Sequence, residues 1–371
     1  MFTRQIESLI RKKINKGKAI IVTGPRQVGK TTLIKTILKD KDYLLLNGDD
    51  PHTKQLLTNP GIEELKNIIG KKKYVFIDEA QRIENIGITL KLITDEMKQV
   101  QLLVSGSSSF ELNNITNEPL TGRKWEYRLL PLSWKEIEDE RGFIKAMQQL
   151  PQRLLYGMYP DVLNNKGDEV EVLRHLSGSY LYKDILAITG IRKPDLLERL
   201  LRALALQLGN EVSYNELSQL LHTDKNTISS YINLLQKTFV IFVLESYSRN
   251  QRNEIKFGKK IYFHDVGIRN AIIGNFNPID SRTDKGALFE NFIICERKKK
   301  LEYSRSLNSS YFWRTKLQQE VDYVEDNGVK ISGFEIKWLA TKNVKTPTAF
   351  ANTYKAKIKL VDSKNLREFI L

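Results

Sequence analysis

Residues 24–31 read GPRQVGKT, in which Gly24 and four further residues precede Gly29, Lys30 and Thr31. The preceding run, 19–23 (AIIVT), is apolar and largely β-branched, and the residues that follow repeat apolar side chains at helical spacing. A glycine-containing turn between a strand and a helix N-terminus points backbone N–H groups and the positive end of the helix dipole at phosphate oxygens. The stretch therefore predicts a phosphate-binding loop within an α/β fold of the P-loop class.

Each residue of this loop has an expected role toward a bound nucleotide. We expect Lys30 to reach the β- and γ-phosphates of ATP and the Thr31 hydroxyl to bind Mg²⁺. The other residues expected to surround the phosphates are Gly24, Pro25, Arg26, Gln27, Val28, Gly29 and Thr32. ATP and Mg²⁺ are thus the predicted cofactors.

A second apolar run, 74–79 (YVFIDE), ends in two acids. We expect Asp78 to hold the Mg²⁺ shell and Glu79 to polarise the attacking water. Apolar residues precede the acids because a central parallel strand is buried on both faces. The pair favours water as the nucleophile, so the sequence predicts an ATP hydrolase and argues against a kinase-like phosphotransferase.

Two further positions are candidates for contact with the γ-phosphate. Ser107 or Ser105, at the end of the predicted strand 101–107, could sense the phosphate; a plain serine-rich turn is the alternative. Arg123 could neutralise transition-state charge, in cis or from a neighbouring subunit, and an ordinary surface ion pair is equally compatible. Action in trans would make the active form a homo-oligomer, such as a ring.

The composition limits the class of protein. The chain has 371 residues, 41% of them apolar, one cysteine and a formal net charge of +15. No apolar run approaches the roughly 20 residues that span a bilayer, and the basic N-terminus lacks the apolar stretch of a signal peptide. We therefore expect a cytoplasmic protein with no membrane partner. The charge favours a polyanionic partner, although a generally lysine-rich composition would give the same value.

The middle of the chain has the pattern of a winged helix. Two short helical patterns, 213–221 and 226–235, are separated by a tight turn, and the β-rich runs 239–244 and 260–263 follow. The predicted wing between these runs carries the basic residues Arg249, Arg252, Lys256 and Lys259. The pattern predicts contact with DNA, with a purely structural spacer as the alternative.

The C-terminal region combines acids with a lysine. Predicted strands 320–324 and 333–338 flank an Asn-Gly turn at 327–328, which favours a hairpin. Alternation along these strands would let Asp322, Glu335 and Lys337 converge, and Glu290 is added from a helix. Carboxylates of this kind bind Mg²⁺, here through Asp322 and Glu335, and the lysine can orient or activate water that attacks a phosphodiester.

Motifs along almost the whole chain resemble one family. They are GPRQVGKTT (24–32), YVFIDEAQR (74–82), VSGSSS (104–109), LTGRKWEYRLLPLSWKE (120–136), YGMYPDVL (156–163), LYKDILAI (181–188) and GALFEN (286–291). Together they resemble the bacterial and archaeal AAA-type ATPases with a C-terminal domain formerly of unknown function. The C-terminal acids and lysine are similar to the restriction-endonuclease-like Asp…Glu-x-Lys pattern, with Val321 where the strict pattern has proline.

The resemblance implies an α/β architecture of four parts. These are an AAA+ P-loop core (1–133), a helical lid (134–195), a winged helix (196–265) and a restriction-endonuclease-like α/β domain (266–371). We expect an ATPase that acts on branched or broken DNA in repair, recombination or defence, with or without Mg²⁺-dependent nicking. The alternative is an ATP-gated regulatory or scaffold protein that binds DNA through a catalytically inactive nuclease-like domain.

Overall fold

The computed structural model describes residues 2–107, 120–180, 193–248, 258–340 and 344–371. These described residues form two compact units, one reaching to Leu132 and the other holding nearly all of the described residues from Ser133 onward. Several predicted features lie outside the described residues, namely Arg249, Arg252 and Lys256 of the wing, the motif 181–188 and the end of the motif 104–109. Within the described ranges, no helix combines the length and apolar character that a bilayer crossing requires.

The first unit alternates strands and helices. In chain order its elements are α1 (Ile6–Arg11), β1 (Ala19–Thr23), α2 (Lys30–Ile37), β2 (Tyr43–Asn47), α3 (Pro51–Leu57), α4 (Ile62–Ile69), β3 (Tyr74–Asp78), α5 (Ile86–Glu96), β4 (Gln101–Gly106) and β5 (Lys124–Arg128). All residues of β1 are buried, as are the central residues of β3, which confirms the α/β class predicted from these apolar runs.

The strands of this unit form one parallel sheet in the order β2–β3–β4–β1–β5. β4 stands between β1 and β3, so the strand before the phosphate loop and the strand ending in Asp78 are not neighbours. The carboxyl ends of parallel strands meet at one edge of the sheet, where ligands of open α/β folds bind. The topology thus assembles the ends of β1, β3 and β4 at that edge.

The second unit begins with helices and continues into a mixed sheet. Its elements are α6 (Trp134–Arg141), α7 (Phe143–Gln148), α8 (Leu150–Tyr156), α9 (Pro160–Asn164), α10 (Glu169–His175), α11 (Pro194–Leu206), β6 (Glu211–Val212), α12 (Tyr214–Leu220), α13 (Lys225–Lys237), β7 (Ile241–Ser246), β8 (Lys259–Phe263), α14 (Val266–Ile273), α15 (Lys285–Tyr303), β9 (Ser309–Arg314), β10 (Glu320–Asp326), β11 (Ile331–Ile336), α16 (Thr348–Tyr354), β12 (Ile358–Val361) and α17 (Leu366–Ile370). The described helices of the predicted lid therefore group with this unit and not with the sheet that carries the phosphate loop.

One seven-stranded sheet runs through the second unit in the order β12–β11–β10–β9–β7–β8–β6. β7 and β9 pair in parallel, with Glu245 opposite Tyr311 and Ser246 opposite Phe312. The predicted boundary at 265/266 consequently cuts through a continuous sheet and does not separate two folds. The physical reason is that β7 has a second hydrogen-bonding edge, which the C-terminal strands cover.

The predicted C-terminal hairpin is present in the structure. β10 and β11 pair antiparallel, with Tyr323 opposite Phe334, and Gly328 adopts φ 82° in the connecting turn. A register shift between Val321 and Val324, typical of a β-bulge, interrupts the pairing of β10 with β9. Bulges re-aim side chains next to functional sites, and Asp322 lies within this one.

A close backbone approach joins the loop after α8 to the start of α14. Gly157 has φ 71°, and a Cβ atom there would lie 2.0 Å from Asp265 Oδ1. The buried Asp265 carboxylate accepts hydrogen bonds from the backbone N–H groups of Met158, Gly267 and Ile268 at 2.7, 2.9 and 3.1 Å. Burial raises the pKa of Asp265, and these backbone donors offset part of that increase.

Replacing Gly157 with alanine is expected to destabilise the second unit. The new methyl group collides with the Asp265 carboxylate and the positive φ adds strain, so we expect a loss of about 3 kcal/mol or more in the free energy of unfolding. Gly274 provides a matched control, because it has φ 67° and a Cβ atom there would meet nothing within 4 Å. Differential scanning calorimetry of both variants should give a clearly lower transition temperature for Gly157→Ala; equal shifts would contradict the steric explanation.

Candidate functional site

The phosphate loop has a conformation that depends on its two glycines. Gly24 has φ 150°, and a Cβ atom there would approach the Leu129 carbonyl oxygen to 2.0 Å. Gly29 is left-handed with φ 92° and directly precedes the first residue of α2, Lys30. These values explain why glycine is required at both ends of the loop.

The loop is held by cations on both of its sides. Lys30 is buried, and its ammonium donates to the carbonyl oxygens of Gly24 and Pro25 at 3.0 and 2.8 Å. From the side of α1, Arg4 donates to the carbonyl oxygens of Val28 and Leu130, both at 2.6 Å. The sequence analysis did not include Arg4, because no sequence motif links an arginine twenty residues before the loop to phosphate binding.

The other loop residues differ in exposure. Pro25 and Val28 are buried, Arg26 is half-buried, and Gln27 and Thr32 are exposed. Gln27 has φ 59°, so it occupies the left-handed region in which non-glycine residues are uncommon. We therefore expect the loop backbone, more than these side chains, to contact a bound phosphate.

The predicted magnesium ligands meet at the carboxyl edge of the sheet. Thr31 Oγ1 donates to the two carboxylate oxygens of Asp78 at 2.9 and 3.1 Å. An ammonium, a hydroxyl and a carboxylate grouped beside a helix N-terminus form the donor set that a magnesium nucleotide requires. The residues present thus fit both ATP and Mg²⁺.

Strand β4 contributes a serine to the same place. Ser105 Oγ hydrogen-bonds Asp78 Oδ1 and accepts the backbone N–H of Glu79 at 3.3 Å. Of the two predicted serines, Ser105 therefore contacts the acid pair through its side chain. Ser107 is buried and contributes its backbone N–H to the Gln81 amide oxygen at 3.1 Å.

Gln81 connects these groups to the second acid. Its amide nitrogen donates to Glu79 Oε2, while its amide oxygen holds the chain at Ser107. Glu79 itself has φ 50°, a left-handed conformation that costs energy for a non-glycine residue and is typical of functional sites. The sequence analysis did not identify Gln81 as a site residue. The only indication in the sequence was its position three residues after Asp78.

Arg123 lies at the opposite edge of the sheet. Its carbonyl oxygen accepts the N–H of Ala19, the first residue of β1, and its Nε donates to Asp95 at 2.6 Å. The length of β1, about 13 Å, separates this position from the phosphate loop. Arg123 thus forms the ion pair that the sequence left as an alternative, its position does not suit a role in cis, and a role in trans stays a prediction.

A second group of charged residues lies on β10 and β11 of the other unit. Lys337 Nζ lies 2.7 Å from Glu335 Oε1 and 3.7 Å from Asp322 Oδ2. Asp322 is 6% exposed, and it also accepts the backbone N–H of Ile336 at 2.8 Å, which fixes its carboxylate across the hairpin. The alternation predicted from the sequence thus brings these three side chains together.

Glu290, on α15, belongs to the same cluster but has partners that the sequence did not indicate. Its Oε1 accepts the Tyr262 hydroxyl at 2.5 Å and lies 3.4 Å from Lys260 Nζ. The Lys260 ammonium also lies 2.5 Å from Glu320 Oε1. Lys260 and Tyr262 alternate on β8, so both reach one face of the sheet; this alternation was their only signal in the sequence.

Burial and the proximity of neighbouring charges shift the pKa values of these side chains. Burial, together with the charge of Asp322, raises the pKa of Glu290 to about 7, despite the opposing effect of Lys260. The pKa of Glu335 is raised by its burial and by Asp322. Burial alone would lower the pKa of Lys260, but Glu290 and Glu320 raise it, so its ammonium stays charged.

The cluster does not form an all-protein metal cage. Among the described residues, no three or more His, Cys, Asp and Glu side chains are grouped closely enough to hold a metal ion. Mg²⁺ commonly uses only one or two carboxylates and completes its shell with water and substrate phosphates. Asp322 and Glu335 could supply such a pair, and Lys260 already neutralises the Glu290 and Glu320 side of the cluster.

Comparisons with known proteins agree with the fold of the first unit. Residues 16–138 match a family model described as an AAA domain, and 147–278 and 285–369 match two models described as domains of unknown function, DUF8612 and DUF4143. Residues 16–138 therefore form an AAA-type ATPase-like domain. The comparisons thus confirm the AAA-type ATPase part of the family resemblance.

Several proteins are similar over most of the chain. An uncharacterized protein of Mycobacterium tuberculosis is 27% identical over 347 residues, which covers 92% of this chain and 75% of the relative. An uncharacterized protein of Methanocaldococcus jannaschii is 23% identical over 340 residues, covering 84% and 73%. The solved Walker-type ATPase of Pyrococcus abyssi has a similar fold, with a TM-score of 0.51 and 16% identity over 73% of this chain and 96% of that one.

Proposed function

We propose that this chain is an ATP-hydrolysing protein that acts on DNA, with a Mg²⁺-dependent phosphodiesterase site in its C-terminal unit. The observation that carries the proposal is the grouping of Asp322, Glu335 and Lys337 in the same chain as an AAA-type ATPase domain. Branched or broken DNA in repair, recombination or defence is the substrate class we favour.

The proposed ATPase chemistry assigns one task to each residue. Lys30 would bind the β- and γ-phosphates, and Thr31 with Asp78 would hold Mg²⁺, which supplies neutralisation of phosphate charge when bound. Glu79 would accept a proton from the attacking water. Gln81 and Ser105 hold the two acids in place through the hydrogen bonds described above.

The proposed C-terminal chemistry follows the same logic. Asp322 and Glu335 would bind one Mg²⁺, and Lys337 would orient the water that attacks a phosphodiester. Lys337 is half exposed, with 51% of its side chain accessible, whereas Asp322 is buried at the base of the hairpin. A substrate phosphate can thus reach the lysine from solvent while the carboxylate stays fixed.

The described part of the predicted winged helix supports DNA as the partner. In α13, Lys225, Asn226, Ser229 and Ser230 are exposed, and Ile228 is buried. Short polar side chains on the outer face of such a helix suit contacts with the DNA backbone more than base readout. The charge of +15 agrees with such a partner.

Duplex, single-stranded, forked or four-way DNA is expected to stimulate ATP hydrolysis. If DNA binding and turnover are coupled, the best of these forms should raise the steady-state rate at least about 5-fold. A coupled phosphate-release assay across the four forms provides the measurement. The stimulated rate should disappear in Lys30→Ala and persist in Lys35→Ala, an exposed position on the same helix; a rate indifferent to every DNA form would contradict the proposal.

The second candidate function is an ATP-gated regulatory or scaffold protein. The position of Lys260 favours it, because a buried ammonium between Glu290 and Glu320 provides positive charge where a nuclease would use a metal ion. Turnover and native mass separate the two functions. A regulator should change its oligomeric state between ATP and ADP without sustained DNA-stimulated hydrolysis.

A further inference from the structure

A cleft lies at the amino-terminal edge of the ATPase sheet, away from the phosphate loop. It has a volume of about 400 Å³ and is bordered by the segments that lead into β1, β3 and β4. These segments comprise residues 12–18, 70–73 and 97–100. None of the residues assigned to the ATPase site lines this cleft.

The walls of the cleft are fixed to one another by Gln101, which is 5% exposed. Its side-chain oxygen accepts the backbone N–H of Asn15 at 2.5 Å, and its amide nitrogen donates to the Lys18 carbonyl oxygen at 3.0 Å. Its backbone N–H donates to the carbonyl oxygen of Lys73 at 2.8 Å. One buried side chain and its backbone thus connect all three segments, so the cleft is preorganised.

The cleft is lined by cations without matching acids. Lys18, Lys73 and Lys98 line it, and no aspartate or glutamate of the described chain does. Within the described residues, none of these lysines forms an ion pair. Asp95, the acid that follows the lining residue Thr94, is already bound by Arg123 at 2.6 Å.

The surrounding sequence extends this positive charge. The three segments contain no acid and together carry Lys12, Lys13, Lys16, Lys18, Lys71, Lys72, Lys73 and Lys98. Lys72 pairs with Asp42 outside the cleft, and the ammonium groups of Lys13 and Lys18 lie over the Trp125 ring. Like charges on three adjacent segments repel one another, so an arrangement of this kind is stabilised by a polyanion that bridges them.

The chemistry favours a nucleic-acid backbone over an anionic membrane. Lysines bind phosphate as point charges, and several of them along one edge match successive phosphates of a strand. Membrane-surface binding would need large apolar side chains beside the lysines. The large apolar side chains that are exposed among the described residues, such as Leu45 and Ile88, do not belong to the three segments. Trp125, whose ring lies 4.1 and 4.8 Å from Lys13 and Lys18 Nζ, is half-buried.

We propose that this lysine-lined cleft binds the phosphate backbone of DNA. The inference rests on the proposed function in that it names the surface of the ATPase unit through which DNA is held. DNA and ATP would occupy opposite ends of the same strands, since β1, β3 and β4 begin at the cleft and end beside Lys30, Asp78 and Ser105. Both ligands can therefore bind together.

The test uses the full chain with Lys18, Lys73 and Lys98 all replaced by glutamine. Fluorescence anisotropy with a labelled duplex of about 30 base pairs, between roughly 50 and 200 mM salt, measures the affinity and its salt dependence. Loss of three phosphate contacts should weaken binding roughly 100-fold near 100 mM salt and lower the salt slope by about 3. ATP hydrolysis without DNA should stay unchanged.

A matched variant removes the same charge elsewhere on the same unit. Lys35, Lys54 and Lys91 lie on α2, α3 and α5, outside the cleft, and their triple glutamine variant should bind DNA within about 3-fold of the wild type. Equal weakening by both triple variants would overturn the cleft as a specific site. If the cleft variant does not fold, Lys98→Gln alone should lower the salt slope by about 1.

The remaining outcomes separate this inference from the proposed function. Wild-type protein that binds no DNA would overturn both, whereas unchanged DNA binding by the cleft variant would overturn only the cleft. A third measurement tests binding of the protein to vesicles that contain phosphatidylserine. Lysine-dependent binding to vesicles, with DNA binding intact, would identify a lipid surface as the occupant and overturn the proposal.

Discussion

Glu79→Gln is expected to lower ATP turnover by about 10²–10⁴-fold, the range that a positioned general base contributes. The glutamine amide keeps the shape of the side chain but cannot accept a proton from water. Nucleotide affinity should stay within a few-fold of the wild type, because the groups expected to bind the phosphates and Mg²⁺, namely the loop backbone, Lys30 and Thr31, are unchanged. Single-turnover hydrolysis and equilibrium binding of a fluorescent ATP analogue measure the two effects separately.

Two comparisons make this expectation specific. Glu84→Gln alters an exposed acid a few residues further along and should leave turnover unchanged. Gln81→Ala removes the hydrogen bond that positions the Glu79 carboxylate, so a smaller loss, roughly 10-fold, is expected. Turnover in Glu79→Gln within about 3-fold of the wild type would remove Glu79 from the mechanism.

The second large effect concerns the C-terminal unit. Asp322→Asn and Lys337→Met should each lower Mg²⁺-dependent nicking of supercoiled DNA by at least about 100-fold, because one removes a metal-binding charge and the other the group that orients water. Asparagine keeps an oxygen that accepts the Ile336 N–H, so the hairpin should remain intact. Agarose-gel conversion of supercoiled to nicked plasmid, with Mg²⁺ or EDTA, provides the measurement.

Lys359→Met is the matched control for the lysine. Lys359 is exposed on the neighbouring strand β12, and its replacement should leave nicking unchanged. Cleavage that persists in both Asp322→Asn and Lys337→Met would assign the activity to a contaminating nuclease. Absence of nicking in the wild-type protein would instead favour the regulatory function, in which Lys260 neutralises the acid cluster.

Features with a local physical cause were predicted well. The phosphate loop follows from backbone requirements at Gly24 and Gly29, and the central strands follow from continuous apolar runs such as 74–78. The C-terminal hairpin was equally accessible, because an Asn-Gly turn and period-two alternation place Asp322 opposite the Glu335 strand. In each case the residues close in sequence are sufficient to predict the local structure.

Features that depend on distant pairing were missed or misplaced. Arg123 directly precedes β5, the strand that pairs with β1. Because the two strands are parallel, Arg123 lies beside the start of β1, whereas the phosphate loop follows the end of β1. Ser105 and Ser107 could not be distinguished before the insertion of β4 between β1 and β3 was known. The boundary at 265/266 failed to mark separate folds because β7 pairs with β9, some sixty residues later in the chain.

By itself, the sequence determined that this protein has a P-loop ATPase domain and a hairpin carrying two acids and a lysine. Only the tertiary structure decided that Lys260 and Tyr262 join Glu290 in that acid cluster, and that lysines of three separate loops border one cleft. The physical reason is the range of the interactions. Backbone conformation and hydrophobic period act over a few residues, whereas strand order and the edge of a sheet at which a loop lies depend on contacts between distant parts of the chain.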